Sequence, residues 1–166
     1  MTTSTTSRSI EIDATAEQVY AFVSDLEKLM GSVPAIRSLE ISDVDTNNDG
    51  DTTYTWTTTV RVGPLNHEVH GSTTREQRVP NQSLTYRHAM GLQTEETFTL
   101  EPASIGTHLN FTVSARSPVP FLDRLVILVA SKGKGQAHYV DQVLTEIKRA
   151  VESGGETRSA GPTASP

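Results

Sequence analysis

Residues 52–62 alternate strictly between two kinds of position. Tyr54, Trp56, Thr58, Val60 and Val62 form one row, and Thr53, Thr55, Thr57, Thr59 and Arg61 form the other. A period of two with that contrast predicts a strand with one face buried. The pattern recurs in segments separated by the turn signals Asn48-Asp49-Gly50, Gly63-Pro64, Pro80-Asn81, Met90-Gly91 and Ile105-Gly106. The predicted strands after the first are 36–44, 52–62, 65–78, 82–89, 92–102 and 107–116. They follow a first strand over Arg8–Ile12 with Ile10 and Ile12 inward. Thr15 to Gln18 reads as a capping box that opens a short helix burying Val19, Phe22 and Val23. Ser24 to Glu27 reads as a second box, opening a turn or two that ends at Gly31 before Pro34.

After Pro118 and Pro120 the spacing changes. Leu122, Leu125, Val126, Val129, Gly133, Gln136, Val140, Val143, Leu144, Ile147 and Val151 recur every three or four residues, which predicts one long helix over 121–152. The expected architecture is α+β: a seven-stranded curved antiparallel sheet wrapped around a long C-terminal helix, with two short helices after strand 1. Residues 1–7 and 153–166 are small and polar. They cannot bury enough apolar surface to offset their ordering entropy, so they are expected to be disordered tails around a single domain over 8–152.

The run from Ser9 to Asp25, followed by Pro34, resembles the opening of the START-like (SRPBCC) superfamily. The closest likeness is to its polyketide cyclase/dehydratase and carbon monoxide dehydrogenase-related branches. The segment from Phe98 to Phe111 is similar to that family's hairpin, with Gly106-Thr107 after the turn. The resemblance covers residues 8–152 and implies a helix-grip fold with an apolar cavity between the concave sheet face and the last helix. It implies no single activity, because the superfamily includes cyclases, lipid carriers, receptors and accessory modules. The glycine-rich loop of the plant ligand-binding branch is replaced here by Asp45 to Gly50, so activities tied to that loop are not implied.

Composition narrows the function classes. A net charge of -6 with no basic stripe argues against nucleic acid. The absence of cysteine removes thiol chemistry and cysteine-ligated metal. The longest apolar run, Leu125–Ala130, is far below the ~20 residues of a membrane span, and the start lacks the features of a secretory signal. A cytoplasmic protein without cofactor or metal is expected. Asp45, Asn47, Asp49 and Gly50 match the first half of a calcium loop, but the twelfth position is Trp56 where a glutamate is needed, so a hairpin turn is the better reading. His67 and His70 are three apart on a strand and face opposite ways.

The informative residues are polar ones on inward rows. Aligning the apolar faces gives the rows Leu65/His67/Val69, Leu84/Tyr86/His88, Leu92/Thr94/Glu96/Phe98/Leu100 and Leu109/Phe111/Val113/Ala115. Glu96, His88, His67 and Thr94 are exceptions on an apolar face, with Glu96 opposite Tyr86 or His88, or one rung removed. A buried carboxylate must be protonated, paired or beside water. Glu96 is therefore either a rim residue bonded to Tyr86 or His88, or a group that orients a ligand or exchanges protons with it. Gly133 and Gly135 in the helix mark a helix bend or close packing on the sheet, or leave room for a ligand. The expected ligand-binding residues are Tyr54, Trp56, Tyr86, His88, Glu96, Phe98, Phe111, Val129, Gly133, Gln136 and Val140, with Glu96 and His88 the catalytic candidates. Three functions fit. They are binding or transport of a hydrophobic small molecule (lipid, quinone or polyketide-like), a cyclase/dehydratase-type enzyme, and an accessory module with a protein partner or homodimer.

Overall fold

A computed structural model describes residues 2–90, 93–117 and 135–154. The strands are β1 (Thr2–Ile12), β2 (Ile36–Thr46), β3 (Thr52–Val62), β4 (Leu65–Val79), β5 (Ser83–Ala89), β6 (Gln93–Pro102) and β7 (Thr107–Ser117). The helices are α1 (Ala16–Val23), α2 (Leu26–Gly31) and α3 (Gln136–Glu152). One antiparallel sheet runs in the order β1-β7-β6-β5-β4-β3-β2, so the first strand pairs with the last. The inward rows of β5, β6 and β7 meet as expected. Leu84, Tyr86, Phe98, Leu109 and Phe111 are completely buried, and they share one core with Val19, Phe22 and Val23 of α1 and Val140, Val143 and Ile147 of α3.

The capping box of α1 forms as predicted: Gln18 N donates to Thr15 Oγ1 and Thr15 N donates to Gln18 Oε1. The second start lies one residue later than expected. Asp25 caps α2 by accepting from Lys28 N, while Ser24 ends α1. The loop at 47–51 is a hairpin turn, with the Asn47 side-chain oxygen accepting from the amides of Asp49 and Asp51 and Gly50 at φ 85°. Gly106, at φ 77°, sits against the Ile12 carbonyl and the Ala14 amide, and Thr107 donates to Ala14 O at 2.8 Å. The Gly-Thr pair thereby ties the β6–β7 turn to the corner where β1 enters α1.

Three expectations need correction. Residues 2–7 continue β1, paired with β7 as far as Thr2↔Ser117. Ladder side chains hold them: Thr5 with Ser114, and Ser7 with Asn110 and Thr112. Leu65 and His67 share the inward row of β4 but are exposed, because the core ends at Val69. The last helix is not continuous over 121–152, because Gly135 (φ 91°, ψ 175°) is the N-cap of α3. Residues 121–134, including Val129 and Gly133, lie outside the described residues, as do 155–166.

Candidate functional site

The β5–β6 hairpin sets the site. Its register pairs Tyr86 with Glu96 and His88 with Thr94, so Glu96 and His88 are diagonal neighbours on the concave face. Their side chains are 10% and 5% exposed, and His88 Nε2 lies 3.3 Å from Glu96 Oε2. That is ion-pair range, but the approach is off the hydrogen-bond line, so Nε2 has no directed partner among the described residues. The other carboxylate oxygen, Oε1, accepts from the Tyr139 hydroxyl at 3.1 Å. Tyr139 comes from the first turn of α3, which is held a second time by Gln136 Nε2 donating to Val113 O at 3.1 Å. Val113 is the register partner of Glu96, so both bonds fix the helix to one rung of the sheet.

On the far side of His88, Nδ1 lies 2.8 Å from Thr73 Oγ1, and Thr73 Oγ1 accepts from Trp56 Nε1 at 2.8 Å. An indole N–H can only donate, so the Thr73 proton is left for His88 Nδ1. Assigned in this way, the imidazole carries its proton on Nε2, facing Glu96. A five-residue chain results, Trp56–Thr73–His88–Glu96–Tyr139, buried in an apolar core. Trp56 fits because Gly71, on the same row as Thr73, has no side chain: a Cβ there would lie 2.7 Å from the indole. Burial pushes the Tyr139 hydroxyl well above the ordinary tyrosine value, and the Glu96 charge pushes the same way. Tyr139 therefore stays a donor at physiological pH.

The other expected residues are distributed as follows. Trp56, Tyr86, Phe98, Phe111 and Val140 are packed core. The Phe98 and Phe111 rings stack at 4.4 Å, and Tyr86 meets Phe98 edge-on at 6.4 Å. The Tyr86 hydroxyl donates to Val23 O at 2.7 Å, anchoring the end of α1. Tyr54 stands apart from them. It borders an open cleft of about 510 Å³ between the α1–α2 junction and β2–β4, lined also by Asp25, Leu26, Ile41, Val44 and Arg75. Arg75 donates to Ser24 O at 2.7 Å and to Thr52 Oγ1 at 3.3 Å, and its guanidinium lies 5.9 Å from the Tyr54 ring centre. Arg75 Nε and the Tyr20 hydroxyl are buried without hydrogen-bond partners among the described residues. Burial raises the Tyr20 pKa, and the Arg75 charge opposes it.

Thr73, Tyr139, Gly71 and Arg75 are absent from the sequence-derived site. Extending the β4 row from Val69 reaches Thr73 and Arg75. Tyr139 follows three residues after Gln136 on the helical stripe.

A curved antiparallel sheet that packs helices on its apolar face, with a polar chain inside that face, defines a START-like helix-grip protein. The sequence matches the profile of the polyketide cyclase/dehydrase and lipid transport family over residues 3–152, and the chain belongs to that family. No curated protein matches the sequence. Among solved structures, a Thermus thermophilus protein is 20% identical with a TM-score of 0.64, covering 93% of this chain and 100% of its own. The Zhui aromatase/cyclase of a Streptomyces species is 15% identical with a TM-score of 0.62, again covering 93% and 100%. A START superfamily protein of Mycobacterium smegmatis is 17% identical with a TM-score of 0.58, covering 87% and 97%. At these identities the likeness is one of fold. Among the described residues, no helix is long and apolar enough to cross a membrane.

Proposed function

We propose that this protein binds a hydrophobic small molecule of lipid, quinone or polyketide kind, with the apolar body against the concave face and a polar end at Glu96. The observation that carries this reading is a carboxylate kept inside an apolar face, still one-tenth exposed, with one oxygen tied to Tyr139 and the other turned to His88. A buried carboxylate held by polar partners is weak evidence for stability, since apolar replacements of similar volume often hold a fold as well. Ligand recognition gives it a reason to be there. The cleft at Arg75 falls within the ~300–1,000 Å³ of small-molecule sites and supplies room at the α1–α2 end of the same face.

A cyclase/dehydratase reaction is the second reading, favoured by the fixed imidazole tautomer behind Glu96. In a dehydration, Glu96 would take the proton from the carbon beside a ketone and return it to the leaving hydroxyl. Water departs, a C=C bond forms, and no proton is gained or lost overall. His88 would act as a positioning residue through Glu96.

Trp56 is the only tryptophan and ends the polar chain, so its emission reports on the site. Titration with a panel of lipids, quinones and aromatic polyketides is expected to shift that emission and raise the melting temperature. A panel that changes neither refutes binding. Loss of water from a β-hydroxyketone substrate, seen by mass spectrometry and abolished in Glu96→Gln, separates the enzyme from the carrier.

A further inference from the structure

Resting on the binding reading above, we infer that the Glu96 end selects ligands that present a hydrogen-bond donor (an alcohol or a phenol) and rejects carboxylates. Along the buried chain the side-chain protons are bonded to other groups, except the His88 Nε2 proton, which is sealed. The Trp56 indole N–H goes to Thr73, and the Thr73 hydroxyl faces His88 Nδ1. The Tyr139 hydroxyl goes to Glu96 Oε1, and the Tyr86 hydroxyl beside it goes to Val23 O. His88 Nε2 is sealed from solvent against Glu96 Oε2.

What remains unspent is acceptor capacity. Glu96 keeps accessible surface, and among the described residues Oε2 has no hydrogen-bond donor aimed along its lone pairs. A ligand hydroxyl gives that oxygen the bond it lacks. A ligand carboxylate brings a second negative charge into an apolar setting where the Tyr139 proton is already bonded to Glu96 and the His88 Nε2 proton is sealed from contact. Arg75, whose Nε is buried without a hydrogen-bond partner among the described residues, is two strands away on the rung Arg75–Tyr86–Glu96. Fully buried Tyr86 lies between them.

The decisive measurement compares para-octylphenol with para-octylbenzoate, which share ring and tail, at neutral pH by Trp56 emission. The wild-type protein is expected to bind the phenol about tenfold or more tightly, a difference of about 1.4 kcal/mol or more. In Glu96→Gln, which offers an amide donor as well as an acceptor, that preference is expected to shrink severalfold. Equal affinities in the wild type, or tighter binding of the benzoate, overturn the inference while leaving the binding reading intact. A preference that Glu96→Gln leaves unchanged overturns it too. If neither compound binds, the inference falls, and the panel of lipids, quinones and polyketides decides the binding reading. The wild-type ratio needs no variant, so it decides even if Glu96→Gln folds poorly.

Discussion

Gly71→Ala tests the seat of Trp56, because two effects of opposite sign meet at that position. A glycine inside a strand normally weakens it, and alanine is better by roughly 0.5–1 kcal/mol on backbone entropy alone. Here the added Cβ would lie 2.7 Å from both Cζ2 and Cη2 of the indole and 3.0 Å from Ala89 O. The ring cannot swing aside, because Trp56 is 1% exposed and its N–H is bonded to Thr73. Overpacking of this kind costs about 1–3 kcal/mol. A bond from Trp56 to Thr73 stretched by the same shift adds about 1 kcal/mol. The net expectation is a loss of about 1–3.5 kcal/mol, a sizeable part of the ~5–15 kcal/mol typical of a domain. Urea unfolding followed by Trp56 emission gives the number, and the emission of the folded variant should change as well. In a Trp56→Phe background, followed by circular dichroism, the smaller ring should remove most of the cost, so the pair should be strongly non-additive. A stabilised Gly71→Ala, or an equal cost in both backgrounds, refutes the seat.

Gly106→Ala should lose more than ~2 kcal/mol in thermal unfolding, since it strains a positive φ and drives a Cβ into the Ile12 carbonyl. Burial raises the pKa of Tyr20, Tyr86 and Tyr139 above the ordinary tyrosine value of 10.0. Folded pKa values above the unfolded ones mean that this stability is whole below about pH 10 and falls as pH rises further. Tyrosine absorbance should therefore titrate together with unfolding, and with less pH dependence in Tyr139→Phe. Thr73→Val should free the His88 tautomer, read by nitrogen NMR as a mixture where the wild type shows the proton on Nε2; a wild-type proton on Nδ1 refutes the relay.

The faces of the strands were legible because a period of two states which residues share a side. The turn residues stated where each strand ends. A row, however, says nothing about how far the core extends along it. Leu65 and His67 therefore read as inward on β4, although only the row from Val69 onward is covered. Residues 2–7 read as a tail by composition, since Thr and Ser bury little. What orders them is a ladder to β7, more than a hundred residues away, and hydroxyl pairs along it such as Ser7 with Thr112, separated by 105 positions. Glu96 and His88 stood out in the sequence because they break apolar rows. Thr73 and Tyr139 did not, because a threonine on a strand and a tyrosine on a helix look like ordinary packing until their hydroxyls are seen to meet an imidazole and a carboxylate.

Whether the fold needs that polar chain can be settled by removing it in two ways. His88→Leu alone leaves the Glu96 carboxylate facing an apolar side chain, and leaving a buried charged group short of a polar partner costs about 2–3 kcal/mol. Replacing three members at once (His88→Leu, Glu96→Met and Tyr139→Phe) removes the charge, the imidazole and the hydroxyl bonded to the carboxylate, while keeping side chains of similar size. That variant should recover to within about 1–2 kcal/mol of the wild type or exceed it, as apolar replacements of buried charged groups with their partners do. The side chains around it, Tyr86, Phe98 and Val113, are already apolar or bonded elsewhere, and the Thr73 proton, which loses its His88 acceptor, accounts for the remaining ~1–2 kcal/mol. Urea unfolding of the single and the triple variant decides the matter. A triple variant less stable than His88→Leu would make the chain a structural strut and remove the main reason for reading Glu96 as a ligand contact. Recovery of stability with loss of phenol binding would assign the chain to recognition.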